Sequence, residues 1–298
     1  MKYRSLPKAN FKVSEISFGC MSLGTDQSEN NLLIKEAFEA GVNYFDTADI
    51  YQNGFNEETV GKAVRPFRKD IILATKVGNQ AKKDGRGWEW NPSKNYILKA
   101  TDKSLKRLNA DYVDILQLHG GTIEDNRDEV IEAFEILQEQ GKIRHYAISS
   151  IRPNVIEAYV QESEIVSDML QYSLLDRRAE EKVLDLLHEK QIGVMVRGGL
   201  ARGLIVNKPL SDYLGYSAKD IEIQRDKLNS FSIEKMSMAQ LALKWVLFNK
   251  AVTSIVLGLR TMEHLSEALG VFDTPDLSHD EYIELGSVLP PNKYTDHR

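Results

Sequence analysis

Short apolar segments alternate with longer amphipathic segments along most of the chain. Several short segments are continuously apolar, as in IILAT and VDILQL, which is typical of parallel strands buried on both faces. The amphipathic segments repeat apolar residues at steps of three and four, as from Ile97 to Leu108 and from Met238 to Val246, which predicts helices. The predicted strands are Ile16–Phe18, Asn43–Asp46, Ile71–Thr75, Val113–Leu118, His145–Ser149, Asp168–Gln171, Val194–Arg197 and Ser254–Leu257.

Two helix ends are marked by their residue types. Ser93 follows Asn91-Pro92 and is a suitable N-cap, because its hydroxyl can accept a hydrogen bond from a free backbone N–H of the first turn. Gly141 follows the run EVIEAFEILQEQ and suits the left-handed position after a helix. We therefore expect one helix to begin at Ser93 and another to end at Gly141.

Strands that alternate with helices eight times, without a linker-like change of composition, predict an α/β fold of the (β/α)8 TIM-barrel type. We expect one domain spanning residues 1–298. An open doubly wound sheet is the alternative, but no G-x-G-x-x-G follows an early strand. Residues 1–14 are expected to form a hairpin that closes the barrel bottom. The segments 77–92 and 198–233 lie on the strand-exit side, and their length is typical of functional or mobile loops.

Composition excludes several classes of protein. The 298 residues carry a net charge of −6, whereas a nucleic-acid or polybasic membrane partner needs a basic surface. The single cysteine, Cys20, cannot form an internal disulfide and suits a reducing compartment. No apolar run approaches the ~18 residues of a membrane span, and the N-terminus lacks a signal-peptide core. We expect a cytoplasmic protein, monomeric by default.

Polar residues stand at the ends of three consecutive predicted strands. Asp46 ends the second, Lys76 the third and His119 the fourth, and Tyr51 follows Asp46 by five residues. Barrel active sites form where strands end and the following loops begin. Because these strands are neighbours in a barrel, the four side chains are expected to converge on one patch.

Proton transfer to a carbonyl is the chemistry that these four residues could share. A nearby ammonium stabilises a phenolate, an aspartate keeps the lysine charged and placed, and a histidine can hydrogen-bond the substrate oxygen. A metal site is the weaker interpretation, since one histidine and one aspartate do not make three ligands, and we expect no metal. A Schiff base on Lys76 is also possible, but a neighbouring aspartate opposes the neutral amine that this requires.

Three segments closely resemble motifs of the aldo-keto reductase superfamily. FDTADIYQNGFNEETVGKAV resembles D-T-A-x-x-Y-x-x-G-x-x-E-x-x-(L/V)-G, DYVDILQLH resembles D-x-x-D-L-x-x-x-H, and FGCMSLG resembles the G-x-M-x-x-G segment. The resemblance spans roughly residues 1–270 in the family's order. It implies a (β/α)8 barrel that reduces carbonyls with NADPH, with Tyr51 as general acid in a tetrad with Asp46, Lys76 and His119.

The resemblance also implies a binding site for NADPH/NADP⁺. Ser149, Ser150 and Gln171 match the positions that hold the nicotinamide carboxamide, although Ser150 replaces an asparagine. Arg197 stands where an aromatic ring often stacks on the nicotinamide, and a planar guanidinium can stack in the same way. The other cofactor-binding residues that the resemblance implies near the barrel top are Gly19, Met21, Asp46, Gly198, Gly199, Leu200, Arg202 and Gly258.

The segment GLRTMEHLSEAL resembles the family's adenine-ribose phosphate site. Arg260 is the candidate for the 2′-phosphate and Glu267 for the adenine amine, while His264 stands where arginine or glutamine is common. A cation at a helix start opposes the helix dipole, so a phosphate partner explains Arg260 better than solvation does.

The substrate is expected to be a small carbonyl compound. Aromatic and apolar residues in loops above a barrel often line pockets, so the expected substrate residues are Met21, Tyr51, Trp88, Trp90 and His119. The second function class is a cofactor-sensing or regulatory binding subunit with low turnover, against which the four catalytic candidates argue.

Overall fold

The computed structural model describes residues 1–82, 86–232 and 236–298. Every strand listed below is short, in keeping with the short apolar segments of the sequence. The strands are β1 (Tyr3–Leu6), β2 (Phe11–Ser14), β3 (Ile16–Gly19), β4 (Tyr44–Asp46), β5 (Ile72–Val77), β6 (Asn79–Ala81), β7 (Trp88–Trp90), β8 (Val113–Leu118), β9 (Ile143–Ile148), β10 (Ser167–Gln171), β11 (Gly193–Arg197) and β12 (Val252–Gly258).

Within the described residues, eight parallel strands close into a barrel. They pair in the order β10-β11-β12-β3-β4-β5-β8-β9, and the ends of this series also pair, so the sheet has no open edge. The (β/α)8 prediction is confirmed and the open-sheet alternative is wrong. Each predicted strand is present with bounds that differ by at most two residues, and Val113–Leu118 has the predicted bounds. The third runs Ile72–Val77, so Lys76 lies within the strand rather than after it.

Helices lie between the barrel strands and in two additional positions near the C-terminus. They are α1 (Gln27–Glu39), α2 (Phe55–Val64), α3 (Lys94–Leu108), α4 (Arg127–Glu139), α5 (Pro153–Glu162), α6 (Val183–Glu189), α7 (Ala218–Phe231), α8 (Met238–Phe248), α9 (Met262–Leu269) and α10 (His279–Gly286). Both predicted helix ends are confirmed. Ser93 accepts a hydrogen bond from the N–H of Tyr96, and Gly141 has φ 70°. None of the helices in the described ranges has the length and apolar character needed to cross a bilayer.

The apolar side chains of the described residues form an inner and an outer core. The outer core lies between the strands and the helices, and the inner core fills the lower barrel. Strands β1 and β2 form the predicted antiparallel hairpin, and their Leu6 and Val13 belong to the inner core with Tyr44, Ile115 and Met195. The hairpin therefore closes the barrel bottom. The polar residues at the strand ends lie at the opposite end of the barrel, which the hairpin does not cover.

The two long segments on the strand-exit side contain more structure than the sequence predicts. Segment 77–92 includes the antiparallel pair β6–β7, with residues 83–85 outside the described residues. Treating segment 198–233 as a loop is wrong, because it includes α7; its last residue, 233, lies outside the described residues. A capping box between Ser217 and Asp220 starts α7, and Ile221 and Leu228 are buried against the rest of the fold.

Candidate active site

The ends of three neighbouring strands bring the predicted residues together. Asp46 ends β4, Lys76 lies one residue before the end of β5, and His119 directly follows β8. Since β4, β5 and β8 are consecutive in the barrel, these side chains share one sector of its rim. Tyr51 begins the turn Tyr51–Gly54 that follows β4.

Lys76 is the centre of the hydrogen bonds in this sector. Its Nζ donates to Asp46 Oδ2 at 2.5 Å, to the carbonyl oxygen of Thr47 at 2.8 Å and to Tyr51 Oη at 3.2 Å. These contacts use all three hydrogens of an ammonium group. The ammonium also lies 4.9 Å from the centre of the Tyr51 ring. The lysine is therefore held as a cation directly beside the phenol oxygen.

Burial and mutual attraction set the charges of the Lys76–Asp46 pair. Both side chains are almost completely buried. Burial alone would lower the pKa of Lys76, but Asp46 and the contact with Tyr51 outweigh it, so the pKa is raised. A lysine whose pKa is raised holds its proton, which opposes the Schiff-base alternative because that chemistry needs the free amine.

Gln117 completes the surroundings of Asp46 and was missed in the sequence. Its Nε2 donates to Asp46 Oδ1 at 2.8 Å, so each carboxylate oxygen has a donor. Gln117 pairs in register with Lys76 on the adjacent strand, and both are buried. The available signal was its position two residues before His119, because alternate residues of a strand face the same side.

Buried hydrogen bonds fix the loop that places Tyr51. Thr47 Oγ1 donates to Asn56 Oδ1 at 2.6 Å, and Asn56 Nδ2 donates to the carbonyl oxygen of Cys20 at 2.8 Å. Gln52 has φ 51°, in the left-handed region, and its Nε2 donates to the carbonyl oxygen of Leu23 at 2.9 Å. The surrounding loop thus determines where the phenol lies.

His119 is held in its neutral form. Burial, together with the positive charges of Lys76 and Arg197, lowers its pKa to about 3. Its ring meets the Tyr51 ring edge-on, with the centroids 5.9 Å apart. Its buried Nδ1 has no hydrogen-bond partner among the described residues. A neutral imidazole beside the phenol can therefore hydrogen-bond a substrate without becoming charged.

The low pKa of His119 predicts that the protein loses stability as the pH falls. An unfolded histidine takes up a proton below its ordinary pKa of 6.5, whereas folded His119 does so only near 3. The free energy of unfolding therefore falls from pH 6.5 downward, by about 2 kcal/mol between pH 7 and pH 5 from this residue. Urea denaturation at both pH values is expected to show a smaller decrease in the free energy of unfolding from pH 7 to pH 5 for His119→Gln than for wild type. An equal loss in the two proteins would contradict the assignment.

Comparison with known proteins agrees with this arrangement. The model of the Aldo/keto reductase family matches residues 15–289. The chain belongs to the aldo/keto reductase family. Since that family consists of oxidoreductases, the resemblance seen in the sequence is confirmed at the level of family and fold.

Individual relatives support the same family membership for this aldo/keto reductase. An uncharacterized oxidoreductase of Bacillus subtilis, YqkF, is 46% identical, and the match covers 100% of each chain. The holo form of aldo-keto reductase AKR11C1 from Bacillus halodurans has a TM-score of 0.94 and 44% identity, with 100% of this chain and 99% of that chain covered. An aldo/keto reductase from Klebsiella pneumoniae in complex with NADP and acetate has a TM-score of 0.79 and 25% identity, with 97% and 95% covered.

The opposite side of the reductase barrel carries the residues expected at the nicotinamide. Ser149 follows β9, and Gln171 and Arg197 end β10 and β11, where they pair in register. Ser150 donates its backbone N–H to Asp168 Oδ1 at 3.0 Å, which fixes the turn after β9. In the described part of the chain, the side chains of Gln171 and Arg197 make no hydrogen bond or ion pair. Both side chains are therefore available to a ligand at the rim.

The neighbouring loop residues of this reductase line the same rim. Gly198 has φ 72° and lies beside the Gln171 side chain, and Arg202 stacks on Tyr213 with 5.8 Å between the guanidinium carbon and the ring centre. On the next strands, Gly19 pairs in register with Gly258. A β-carbon at Gly258 would lie 2.4 Å from Ser22 Oγ, so a side chain there would force the Ser22 hydroxyl to move. The rest of the expected set on these loops comprises Gly199 and Leu200.

The residues expected at the adenine end lie around α9. Arg260 is exposed two residues before the helix, and the backbone N–H of His264 donates to Thr261 Oγ1 in its first turn. Arg260 therefore stands close to a helix start, as expected, and a further helix, α10, follows α9. Glu267, expected to bind adenine, accepts a hydrogen bond from Ser237 Oγ on one of its two carboxylate oxygens.

The candidate substrate residues separate into two groups. Met21 is 62% exposed, and Trp90 packs against Gly78 and Gly120 while its Nε1 donates to Asp125 Oδ1 at 2.9 Å. Gly120 directly follows His119, so Trp90 lies beside the sector of the rim that holds Lys76 and His119. Trp88 instead lines a separate cavity of about 500 Å³. This cavity, called the lateral cavity here, lies between the loop of residues 49–53, the strand pair β6–β7 and helix α3.

Proposed function

We propose that this aldo/keto reductase reduces an aldehyde or ketone to the alcohol, with hydride from NADPH and a proton from Tyr51. The observation that carries the proposal is the ammonium of Lys76, placed 3.2 Å from Tyr51 Oη and 2.5 Å from Asp46 Oδ2. A cation at this position favours the negative charge that the phenol acquires when it gives up its proton. The arrangement therefore suits a general acid.

The direction of the hydrogen bonds supports the proton step. Lys76 donates to the oxygen of Tyr51, so the phenol hydrogen is free to point at a substrate oxygen. As that hydrogen is transferred, Lys76 remains hydrogen-bonded to the phenolate. Asp46, held by Gln117, keeps Lys76 in place. Neutral His119 hydrogen-bonds the same substrate oxygen and orients it towards Tyr51.

The residues on the β9–β12 side fit a nicotinamide cofactor. The side chains of Gln171 and Arg197 have no hydrogen-bond or ion-pair partner in the described ranges. In our proposal Ser149 and Gln171 hold the carboxamide and Arg197 lies against the ring. When bound, the reduced nicotinamide supplies the hydride. The NADP described for the Klebsiella pneumoniae relative supports this choice of cofactor.

Arg260 is expected to select NADPH over NADH. A 2′-phosphate can take two charge-assisted hydrogen bonds from an exposed guanidinium, whereas NADH offers only a hydroxyl. After a discount for solvent screening, the expected preference is about ten- to a hundredfold. Arg260→Ala should raise the Kd for NADPH by that factor, less so at high salt, and leave the Kd for NADH nearly unchanged. Fluorescence titration measures both constants, and a parallel loss would place Arg260 away from the 2′-phosphate.

A panel of aldehydes and ketones tests the proposed function. Steady consumption of NADPH, with the alcohol as product, is the expected result. Binding of NADPH without turnover across the panel would favour a cofactor-sensing or regulatory subunit instead. Trapping of a substrate on Lys76 by borohydride, without any need for a nicotinamide, would favour a Schiff-base lyase.

A further inference from the structure

The lateral cavity is lined by the carboxyl group of Asp49, one oxygen of which has no hydrogen-bond partner among the described residues. Asp49 Oδ1 is buried and has no partner among the described residues. Asp49 Oδ2 lies 3.4 Å from Tyr96 Oη, but Tyr96 also lies 2.9 Å from the carbonyl oxygen of Asn79. A phenol has one hydrogen, and the shorter contact takes it. Buried polar groups in folded proteins are normally hydrogen-bonded, so Asp49 Oδ1 offers an acceptor site that a ligand could use.

Two lysine side chains that make no ion pair with any described residue line the same cavity. Lys99 and Lys103 lie four residues apart on α3, so they occupy one face of the helix. Both are exposed, and neither makes an ion pair with any residue that the structure describes. The third cation of the wall, Arg107, is already neutralised by buried Glu57, with 2.6 Å between Nη2 and Oε2. In a protein of net charge −6, this wall is locally positive.

Neutral groups complete the lining. The indole of Trp88 is 56% exposed at the cavity, and Asn53 and Asn95 contribute amides without partners in the described chain. An exposed aromatic face, free amides and a carboxyl group suit a ligand with several hydroxyl groups. The volume of about 500 Å³ lies within the range of small-molecule sites.

We propose that the lateral cavity is a second binding site, separate from the catalytic site, for a phosphorylated sugar. Lys99 and Lys103 bind the phosphate, and Asp49 accepts hydrogen bonds from the sugar hydroxyls. Trp88 packs against the apolar face of the ring. The site goes beyond the reductase function, because its described lining includes neither Tyr51 nor His119 and lies away from the β9–β12 side.

The surroundings of Asp49 fit this role. Burial and the nearby charge of Glu57 raise the pKa of Asp49 to about 7, while Arg107, the backbone N–H of Ile50 and Tyr96 oppose the shift. The carboxyl group is therefore partly protonated at neutral pH, which reduces its repulsion of a phosphate bound to the same wall.

Isothermal titration calorimetry on the full chain tests the proposal, with glucose 6-phosphate, inorganic phosphate and glucose as probes. Glucose 6-phosphate is expected to give saturable one-to-one binding that excess NADPH does not compete away. Lys99→Gln/Lys103→Gln should weaken it about tenfold or more, since two charge-assisted contacts are lost. The matched control Lys106→Gln, an exposed lysine of α3 outside the cavity lining, should stay within about twofold.

Asp49→Ala separates the two halves of the site. It should weaken the binding of glucose 6-phosphate about fivefold or more, because the contacts with the sugar hydroxyls are lost. The Kd for inorganic phosphate should stay within about twofold of the wild-type value. The double lysine variant should keep wild-type NADPH consumption with an aldehyde, which shows that it is folded. Three results would each overturn the proposal: glucose 6-phosphate does not bind saturably, NADPH competes with it, or Lys106→Gln loses as much affinity for it as the double variant. These binding measurements do not depend on whether the protein reduces carbonyl compounds, so a failure of the proposed function would not change their interpretation.

Discussion

Replacing Tyr51 with phenylalanine is expected to abolish most carbonyl reduction while leaving NADPH binding unchanged. The variant loses one hydroxyl group but keeps the ring beside His119 and the loop bonds of Thr47 and Gln52. Since the removed hydrogen is the proposed proton source, kcat should fall by about 10²–10⁴ or more. Steady-state assays with an aldehyde measure kcat, and fluorescence titration measures the Kd for NADPH.

Tyr3→Phe is the matched control for this experiment. Tyr3 lies in β1 at the barrel bottom, and its hydroxyl donates to the carbonyl oxygen of Gly41 at 2.9 Å. Its removal should leave kcat within about twofold of wild type, because an exposed hydrogen bond contributes little and is remote from the site. Near-normal turnover of Tyr51→Phe would show that another group donates the proton.

Replacing Lys76 with methionine is expected to reduce both turnover and stability. The change leaves Asp46 buried with Gln117 as its remaining side-chain donor and removes the cation beside Tyr51. Breaking a buried ion pair costs about 3–5 kcal/mol in the free energy of unfolding. Turnover should fall by about 10²-fold or more in the molecules that remain folded. Urea denaturation measures the first effect, and assays corrected for the folded fraction measure the second.

Two further variants identify the cause of the Lys76 effect. Asp46→Asn/Lys76→Met removes both charges and should be more stable than Lys76→Met alone, although equally inactive. Lys2→Met breaks the exposed pair of Lys2 with Asp276, so its cost should stay within about 1 kcal/mol. A double variant no more stable than Lys76→Met would contradict the view that an uncompensated buried carboxylate causes the loss.

The strands and the clustering of the polar residues at their ends were predictable because they depend on local patterns. Short apolar runs, several of them continuous, marked the barrel strands, and the order of strands in a barrel placed Asp46, Lys76 and His119 side by side. Gln117 escaped notice because its run reads as an ordinary buried strand. Its role depends on pairing in register with Lys76, some forty residues earlier in the chain.

Features that depend on contacts distant in sequence were not predictable. Helix α7 has few apolar residues, and its burial comes from neighbours such as the carbonyl oxygen of Leu285, which accepts from Gln224 at 3.1 Å. Glu267 matches an adenine-binding position by resemblance, and its hydrogen bond from Ser237 of another segment could not be predicted from that match. Likewise, Asp49 reads as a loop residue until α3 and the pair β6–β7 enclose it.

Transfer of deuterium from the cofactor to the product tests the central claim most directly. The protein is supplied with an aromatic aldehyde and with NADPH that carries deuterium at both positions of nicotinamide C4. Mass spectrometry of the alcohol is expected to show one deuterium on the former carbonyl carbon in the wild-type product, with formation slowed by about 10²-fold or more in Tyr51→Phe. An alcohol without deuterium at that carbon, or no alcohol from any carbonyl compound tested, would contradict the assignment of this protein as an NADPH-dependent carbonyl reductase.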